Sequence, residues 1–317
     1  MACGMKISIL AAGILLGSMI PATAEPVEIR IVQHFGTNSA PLTVMRERRL
    51  VEKRLPNAKL QFRKLSGGSD TVDAFLADQI DFSAMGIAPF LTAWAKGVKI
   101  KIASGLVVGP VRLMTWKSNI GSIKDFGPDD RIAVPSPTSA QAMMLRMASA
   151  REFGDARRLD KYMVALPHPE AMNALLSKQH ISAHFATPPY LDQEVAASMK
   201  LVLDSVDAVG EPYSGQVMVA SMRFHDKHPE ASKAVTDALA EAIAWIAANP
   251  DEAAALVRSA DGYKMAVETL RKAMTGDNRY DAKPLGVMKF ADFMYEQKLI
   301  AKKPASLAAL QLDWAAK

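Results

Sequence analysis

The chain has 317 residues, half of them hydrophobic, and a formal net charge of +5 at pH 7. This length and apolar content suffice for two medium-sized domains with cores of their own. The densest basic stretch, residues 46–54, is interrupted by Glu47 and Glu52, which is typical of a solvated helix face and excludes a strongly basic nucleic-acid-binding patch.

The first residues have the pattern of a secretory signal peptide. Lys6 precedes an apolar run at residues 7–20, and the small-residue sequence Ala22-Thr23-Ala24 precedes Glu25. The run is shorter than the roughly 20 residues that a membrane-spanning helix needs. We therefore predict that residues 1–24 are cleaved and that the mature protein is periplasmic.

Cysteine chemistry is excluded from the predicted mature chain. The only cysteine is Cys3, which lies ahead of the apolar run and would be lost on cleavage. A lipid anchor is not expected from a cysteine in that position. The mature chain would then have no disulfide, thiolate metal site or cysteine nucleophile.

Strands and helices alternate along the mature chain. Strands are predicted at residues 28–32, 60–65 and 131–134. Each is followed by a loop of small or polar residues and then by a segment with helical spacing. This order is typical of an α/β fold with mostly parallel sheets flanked by helices.

A helix–strand–turn pattern occurs twice, one hundred residues apart. The first copy is residues 74–89 and the second is residues 174–189; each has a helical segment ending at a glutamine, an alternating strand, and a proline after the strand. The repeat predicts two lobes of similar construction. Because ligands of open α/β sheets bind beyond the carboxyl ends of the strands, a cleft between the lobes is expected to hold a small molecule. Chance similarity between two ordinary units is the alternative.

Two crossings between the lobes are predicted where the pattern is broken by glycine and proline. One lies near residues 105–110 and the other near residues 215–220. The first lobe is therefore expected to comprise residues 25–107 and 218–317. The second lobe would comprise residues 108–217.

Two helix starts are candidates for ligand contact. Residues 66–69 read Ser-Gly-Gly-Ser and residues 136–139 read Ser-Pro-Thr-Ser. Glycines let a backbone approach a ligand, and amides at a helix start attract an anion; an ordinary turn with a capping side chain is the alternative in both places. Neither a G-x-x-x-x-G-K-[ST] loop nor a G-x-G-x-x-G fingerprint is present.

Histidines and aromatic residues give weaker signals. His180 and His184 lack a convincing third ligand, so no metal site is predicted. His34 follows the first strand and either reaches the cleft or is an ordinary loop histidine. Tyr190 and Tyr213 each follow a proline in a predicted loop between the lobes, which favours a position at the cleft.

Several motifs together carry a resemblance to a known family. They are Ser66-Gly67-Gly68-Ser69, Gln79-Ile80-Asp81-Phe82, Met85-Gly86-Ile87-Ala88-Pro89, residues 131–139, residues 186–190, Lys227-His228-Pro229-Glu230 and Ala248-Asn249-Pro250-Asp251-Glu252. With them the chain resembles the periplasmic substrate-binding proteins of ABC importers in the nitrate/taurine/sulfonate (NitT/TauT) group. The resemblance implies a bilobed monomer without cofactor that captures a ligand by hinge closure. It also implies delivery to a membrane permease driven by a separate cytoplasmic ATPase.

One departure from the family bears on the ligand. Ile87 and Ala88 follow Gly86, where sulfonate-binding members often carry hydroxyl residues. A small organic anion, either a sulfonate or a carboxylate, is therefore expected, with a heteroaromatic compound such as a thiamine-precursor pyrimidine as the alternative. A sensory module for a membrane receptor is a further alternative to transport.

The protein is not expected to be an enzyme. The related pyrimidine synthase needs a cysteine-rich iron site, which the mature chain lacks. The residues that we predict to bind the ligand are Gln33, His34, Phe35, Ser66, Gly67, Gly68, Ser69, Met85, Gly86, Ile87, Thr138, Ser139, Thr187, Tyr190 and Tyr213.

Overall fold

The computed structural model describes Met1, residues 26–65 and residues 67–314. The predicted signal peptide and its cleavage site lie outside the described residues and stay a prediction. The strands are β1 (Glu28–His34), β2 (Lys59–Leu65), β3 (Phe82–Met85), β4 (Ile100–Val108), β5 (Arg112–Thr115), β6 (Ile132–Val134), β7 (Met163–Ala165), β8 (Ala183–Ala186), β9 (Lys200–Asp204), β10 (Ser214–Ser221) and β11 (Arg279–Tyr280).

Helices separate most of these strands. They are α1 (Ala40–Glu47), α2 (Gly68–Leu76), α3 (Ile87–Ala95), α4 (Ala140–Phe153), α5 (His168–Leu176), α6 (Tyr190–Ala196), α7 (Ser205–Val209), α8 (Met222–Lys227), α9 (Pro229–Ala248), α10 (Pro250–Asp261), α11 (Val267–Thr275), α12 (Val287–Glu296) and α13 (Leu307–Leu310). None of the helices in the described part of the chain has the length and apolarity needed to cross a membrane.

The strands form two sheets, as the predicted two-lobed α/β fold requires. The first has the order β11-β4-β10-β3-β1-β2 and the second β7-β6-β8-β5-β9. Strand β1 pairs in parallel with β2 and β3, and β6 pairs in parallel with β7 and β8. The fold class is confirmed.

The prediction of mostly parallel sheets was wrong in detail, because both sheets are mixed. Every antiparallel pair involves β4, β5, β9, β10 or β11. The chain passes from the first sheet to the second between β4 and β5, and back between β9 and β10. The strands by which the chain enters each sheet from the other, β5 and β10, run against their neighbours, as does β11. The helix–strand alternation alone did not indicate these reversals.

The two passages between the sheets lie at residues 109–111 and 205–213. Residues 214–217, which the sequence analysis assigned to the second lobe, belong to β10 and pair with β3 and β4 of the first sheet. The predicted return crossing at residues 215–220 therefore lies inside a strand. The lobe boundaries as such stay a prediction.

The sequence repeat corresponds to a repeated helix end. Asp78 and Lys178 both adopt the left-handed conformation, with φ of 55° and 58°. Directly after them, Gln79 N donates to Ala74 O at 2.8 Å, and Gln179 N donates to Ala174 O at 3.0 Å. Strands β3 and β8 follow, and each lies in the interior of its sheet. The two lobes therefore have equivalent turns after these strands, at Gly86 before α3 and at residues 187–189 before α6.

Candidate ligand-binding cleft

A cavity of about 50 Å³ lies between the two sheets, at the ends of the strands where helices begin. A single water needs roughly 10–15 Å³ on this measure, so the space holds only a few water-sized groups. The lining residues are His34, Phe35, Asn38, Gly67, Gly68, Gly86, Pro89, Val111, Pro135, Ser139, Ala140, Gln141, Met144, His168, Thr187, Gly215 and Gln216.

Four helices point their N-termini at this cavity. Helices α2 and α3 begin there from the first sheet, and α4 and α5 begin there from the second. The first amides of a helix have no acceptor within it, and the helix dipole places partial positive charge there. Gly67 and Gly86, which precede α2 and α3, offer no side-chain cap. Among the described residues that line the cavity, none is Lys, Arg, Asp or Glu.

Glycine at position 68 lets α2 begin against α3. A Cβ added to Gly68 would lie 2.5 Å from Cβ and 2.6 Å from Cγ of Pro89, distances that real Cβ atoms do not adopt. A Cβ on the neighbouring Gly67 would meet Pro135 of the other lobe at 3.7 Å. The two helix starts singled out in the sequence therefore face each other directly.

His34 ends β1 and lines the cavity as a neutral hydrogen-bonding group. Its Nε2 lies 2.9 Å from Thr71 Oγ1, and the Thr71 hydroxyl donates to Gly67 O at 3.1 Å. Because the hydroxyl has only one hydrogen, His34 Nε2 is the donor to it. Burial lowers the pKa of His34 to about 4, so the ring is uncharged at neutral pH.

His168, the first residue of α5, connects the cavity with the interior of the second lobe. Its Nε2 lies 3.2 Å from Gln141 Nε2, and its Nδ1 lies 2.8 Å from His184 Nε2. The Tyr190 ring stacks on it with a centroid separation of 5.9 Å and an interplanar angle of 17°. His168 is therefore held on both ring nitrogens and on one face.

The line of polar groups ends at a buried acid. His184 Nδ1 lies 2.5 Å from Glu194 Oε1, and both side chains have no exposed surface. Burial raises the pKa of Glu194 to about 9 and lowers that of His184 to about 3. Burial also places the pKa of His168 well below its ordinary value. At neutral pH the proton therefore resides on Glu194, and both imidazoles are neutral.

The lobes touch at the mouth of the cavity. Thr37 N donates to Pro188 O at 3.1 Å, and Asn38 Nδ2 donates to Thr187 Oγ1 at 2.9 Å. Further out, the Arg112 guanidinium beside β9 reaches Asp277 Oδ2 at 2.7 Å. The small cavity volume is thus that of a cleft with its two sides in contact.

Seven predicted residues line the cavity together: His34, Phe35, Gly67, Gly68, Gly86, Ser139 and Thr187. Tyr190 lies directly behind His168 instead of on the cavity wall. Ser139 is the N-cap of α4, and its Oγ accepts a hydrogen bond from Ala142 N. Its hydroxyl hydrogen remains available to a ligand.

Three predicted residues lie in apolar cores and not in the cleft. Tyr213 is 1% exposed, its hydroxyl donates to Ser205 Oγ at 2.6 Å, and its ring packs on Phe290. It sits at the return passage between the sheets, which explains the loop position that suggested a ligand contact. Met85 and Ile87 have no exposed side-chain surface and belong to the hydrophobic core.

The remaining predicted residues are placed elsewhere or not described. Gln33 Nε2 lies 3.4 Å from Asp261 Oδ1, away from the cavity. Thr138 is exposed beside Ser136. Ser66 lies outside the described residues, and the side chain of Ser69 is not described.

Sequence reasoning missed Asn38, Gln141, His168 and the buried acid behind them. His168 could have been found, because it follows the short strand β7 and stands beside Pro169 at the start of a helix; Ser139 likewise stands at a helix start. Glu194 gave no signal, since a glutamate on a short helix is ordinarily solvated.

No group of three His, Cys, Asp or Glu side chains able to hold a metal ion occurs among residues 26–65 and 67–314. His180 is exposed, whereas His184 is buried. The two histidines that the sequence spacing raised as candidate ligands therefore do not share a site.

The sequence matches the model of the NMT1-like family over residues 22–260. The chain belongs to the NMT1-like family. No curated protein sequence matches it. This NMT1-like chain does resemble many solved structures.

Three solved structures illustrate the likeness. The alkanesulfonate-binding protein SsuA from Xanthomonas axonopodis pv. citri, bound to MOPS, has a TM-score of 0.73 and 19% identity, covering 92% of this chain and 98% of that one. The aliphatic sulphonate binding protein SsuA from Escherichia coli has a TM-score of 0.68 and 19% identity, covering 91% and 92%. The nitrate-binding protein NrtA from Synechocystis PCC 6803 has a TM-score of 0.72 and 15% identity, covering 90% and 84%. At these identities the likeness shows the fold, which is that of periplasmic binding proteins.

Proposed function

We propose that this protein is the periplasmic solute-binding component of an ABC importer. It captures a small organic anion, a sulfonate or a carboxylate, in the cleft between its lobes and delivers it to a membrane permease with a cytoplasmic ATPase. The observation that carries the proposal is the convergence of four helix N-termini, from α2, α3, α4 and α5, on one small cavity. Membership of the NMT1-like family and the likeness to sulfonate- and nitrate-binding proteins support the transport role.

The cavity favours an anion through dipoles and neutral donors. Each helix terminus contributes about 0.3–1 kcal/mol towards a negative group, and up to about 2 kcal/mol when partly buried. The Ser139 hydroxyl and the Asn38 amide add directional hydrogen bonds. No acidic side chain lines the described part of the cavity to oppose an anion.

The apolar part of the lining favours an organic ligand over a bare inorganic anion. Phe35, Pro89, Val111, Pro135 and Met144 supply surface that cannot hydrogen-bond. When such surface covers a hydrocarbon group, each Å² of apolar area removed from water stabilises the complex by roughly 25 cal/mol. A short sulfonate or carboxylate matches both parts of the lining.

Ligand capture is proposed to coincide with closure of the lobes. Each lobe supplies two of the four helix starts, so an anion between them holds the lobes together. The contacts from Thr37 and Asn38 to the loop at residues 187–189 join the two lobes across the cleft, so opening of the cleft would break them.

A thermal-shift screen tests the proposal. Ethanesulfonate, taurine, propionate, nitrate and 4-amino-5-hydroxymethyl-2-methylpyrimidine are each added to the mature protein. A ligand at about 100 times its Kd adds roughly 2.7 kcal/mol to the free energy of unfolding, so an organic anion should raise Tm by several degrees. A shift with the pyrimidine alone would contradict an anion-binding role.

Variants then locate the binding site. Ser139→Ala should weaken the binding of the organic anion by about 0.5–1.5 kcal/mol, because one hydrogen bond is lost. Ser149→Ala is the matched control, since Ser149 is buried on the same helix and its hydroxyl has no partner in the described residues. Equal affinities for both variants and the wild type would place the ligand elsewhere.

A further inference from the structure

A continuous line of polar side chains leads from the cavity into the second lobe. It runs from Gln141 through His168 and His184 to Glu194, with separations of 3.2, 2.8 and 2.5 Å. Only the Gln141–His168 end touches the cavity. Structural stability alone would be served by an apolar residue at position 194, because burying an acid is costly.

We propose that Glu194, His184 and His168 form a one-proton switch, and that the cleft binds its anion only when the proton is present. The inference rests on the function proposed above, since it requires an anionic ligand beside His168. Glu194 is then a positioning residue that acts on the ligand through two imidazole rings.

In the protonated state, the hydrogens shared between Glu194, His184 and His168 all point towards the cavity. The Glu194 hydroxyl donates to His184 Nδ1, so the one hydrogen of His184 is on Nε2 and is donated to His168 Nδ1. The one hydrogen of His168 must then be on Nε2. That nitrogen lies 3.2 Å from Gln141 Nε2, and an amide N–H cannot accept a hydrogen bond. In this state the Gln141 side chain must therefore turn its Oε1 to the ring or move aside, so that His168 Nε2–H can donate to an oxygen of the anion.

Loss of one proton to solvent reverses both hydrogen bonds. The Glu194 carboxylate now accepts from His184 Nδ1–H, and His184 Nε2 accepts from His168 Nδ1–H. Both rings stay neutral, and His168 Nε2 presents a lone pair to the cavity. An anion in the cavity then meets an acceptor instead of a donor. It is also repelled by the new negative charge on Glu194.

The surroundings keep the proton on Glu194 near neutral pH. Its Oε2 is buried without a hydrogen-bond partner among the described residues, and burial raises the pKa of this carboxyl to about 9. Because the protonated state binds the anion, affinity should fall as pH rises through this pKa, by about tenfold per pH unit above it.

Other titratable groups face the switch from neighbouring elements. They are Tyr190 on α6 and His34 on β1, which act on His168, and Asp261 on α10, which acts on Tyr190. Tyr190 covers one face of His168. The charges that act on Asp192 of α6 are those of Arg112 and Asp277, outside the switch. In the described structure none of these groups hydrogen-bonds to the Glu194 carboxyl, so the switch titrates through His184.

Imidazole ¹⁵N NMR of the unliganded mature protein tests the switch directly from pH 6 to pH 10. His168 and His184 should both carry their hydrogen on Nε2 at pH 7 and on Nδ1 at pH 10. In Glu194→Gln the side-chain amide N–H donates to His184 Nδ1 at every pH, so both rings should keep the Nε2–H form. Asp192→Asn also changes an acid to its amide, two residues from Glu194. In this variant both rings should change tautomer with pH as they do in the wild type. Rings that keep one tautomer from pH 6 to pH 10 in the wild type would overturn the proposal, with no variant needed.

Calorimetry with ethanesulfonate and propionate links the switch to binding. Wild type and Asp192→Asn should lose about fivefold in affinity between pH 9 and pH 10, whereas Glu194→Gln should keep a constant affinity between pH 7 and pH 10. A Glu194→Gln profile that falls with pH as the wild-type profile does would overturn the coupling. If neither probe binds while the tautomers reverse, the proposed function fails and the switch stands; if a probe binds while the tautomers do not reverse, the function stands and the switch fails.

Discussion

Asn38 Nδ2 donates a hydrogen bond to Thr187 Oγ1 at 2.9 Å, and this bond joins the two lobes at the rim of the cleft. Both side chains are buried, so the bond is shielded from water. Thr187 lies in the loop after β8, and Asn38 lies just before α1. The bond can exist only while the lobes are in contact, which makes it a reporter of closure.

Thr187→Val should weaken ligand binding by opening this contact. Valine keeps the volume of threonine but cannot accept the hydrogen bond, so we expect a loss of about 0.5–1.5 kcal/mol in binding free energy. Calorimetry gives the affinity, and solution scattering should show a larger mean radius of gyration at subsaturating ligand. Thr92→Val removes a hydroxyl that bonds only within α3 and should change neither quantity. A Thr187→Val protein with wild-type affinity would show that the contact does not support closure.

Asp277→Asn should have a much smaller effect on the same equilibrium. Asp277 is 64% exposed and pairs with Arg112 of the other lobe at 2.7 Å, and exposed ion pairs contribute about 0–1 kcal/mol. The affinity should fall by less than about fivefold at low salt. It should not fall in 1 M salt, where the Debye length is only roughly 3 Å and the ion pair is screened. Asp281→Asn, which breaks an ion pair with nearby Arg279, is the control. A salt-independent loss in Asp277→Asn would contradict this electrostatic account.

Gly68→Ala should disturb the cleft from within the first lobe. The added methyl would lie 2.5 Å from Pro89 Cβ, so α2 and α3 must move apart, at a cost of about 1–3 kcal/mol in unfolding free energy. Denaturant unfolding measures this cost, and calorimetry should show weaker anion binding. Gly121→Ala is the control, because the nearest atom to its Cβ would be 3.8 Å away. Unchanged stability in Gly68→Ala would mean that the helix starts are not packed as described.

His34 should make the protein less stable in mild acid. Its pKa is about 4 in the folded chain because of burial, whereas an imidazole in an unfolded chain has a pKa near 6.5. The unfolded state therefore takes up a proton first as pH falls, and the stability present above pH 6.5 is lost between pH 6.5 and pH 4. The difference in unfolding free energy between wild type and His34→Gln should be constant from pH 7 to pH 8. It should then shrink by up to about 1.4 kcal/mol per pH unit below 6.5. A constant difference down to pH 4.5 would show that His34 is not buried as a neutral ring.

The sequence predicted the architecture well where its patterns were local. The repeat at residues 74–89 and 174–189 was readable because an apolar helical segment, a glutamine, a strand and a proline recur at the same spacing. The strand directions around the passages between the lobes were not readable, since nothing in β4 or β10 marks which neighbour it pairs with. Tyr213 was misplaced because a proline-flanked tyrosine looks the same at a cleft and at a buried chain passage.

The site could be predicted only in part, because some of its residues carry local signals and others become neighbours only on folding. Gly67, Gly68 and Ser139 stand at helix starts, whose backbone chemistry follows from sequence position. The line from His168 to Glu194 depends on α5, β8 and α6 packing side by side, and residues from three elements become neighbours only in the folded chain.

The most direct test of the account is a calorimetric competition in the wild-type mature protein at pH 7. Ethanesulfonate, propionate and nitrate are titrated singly, and nitrate is then titrated into protein saturated with the tighter organic anion. The account predicts binding of an organic anion with one site per chain and no displacement by equimolar nitrate. Tighter binding of nitrate than of both organic anions, or no heat of binding from any of the three, would contradict it.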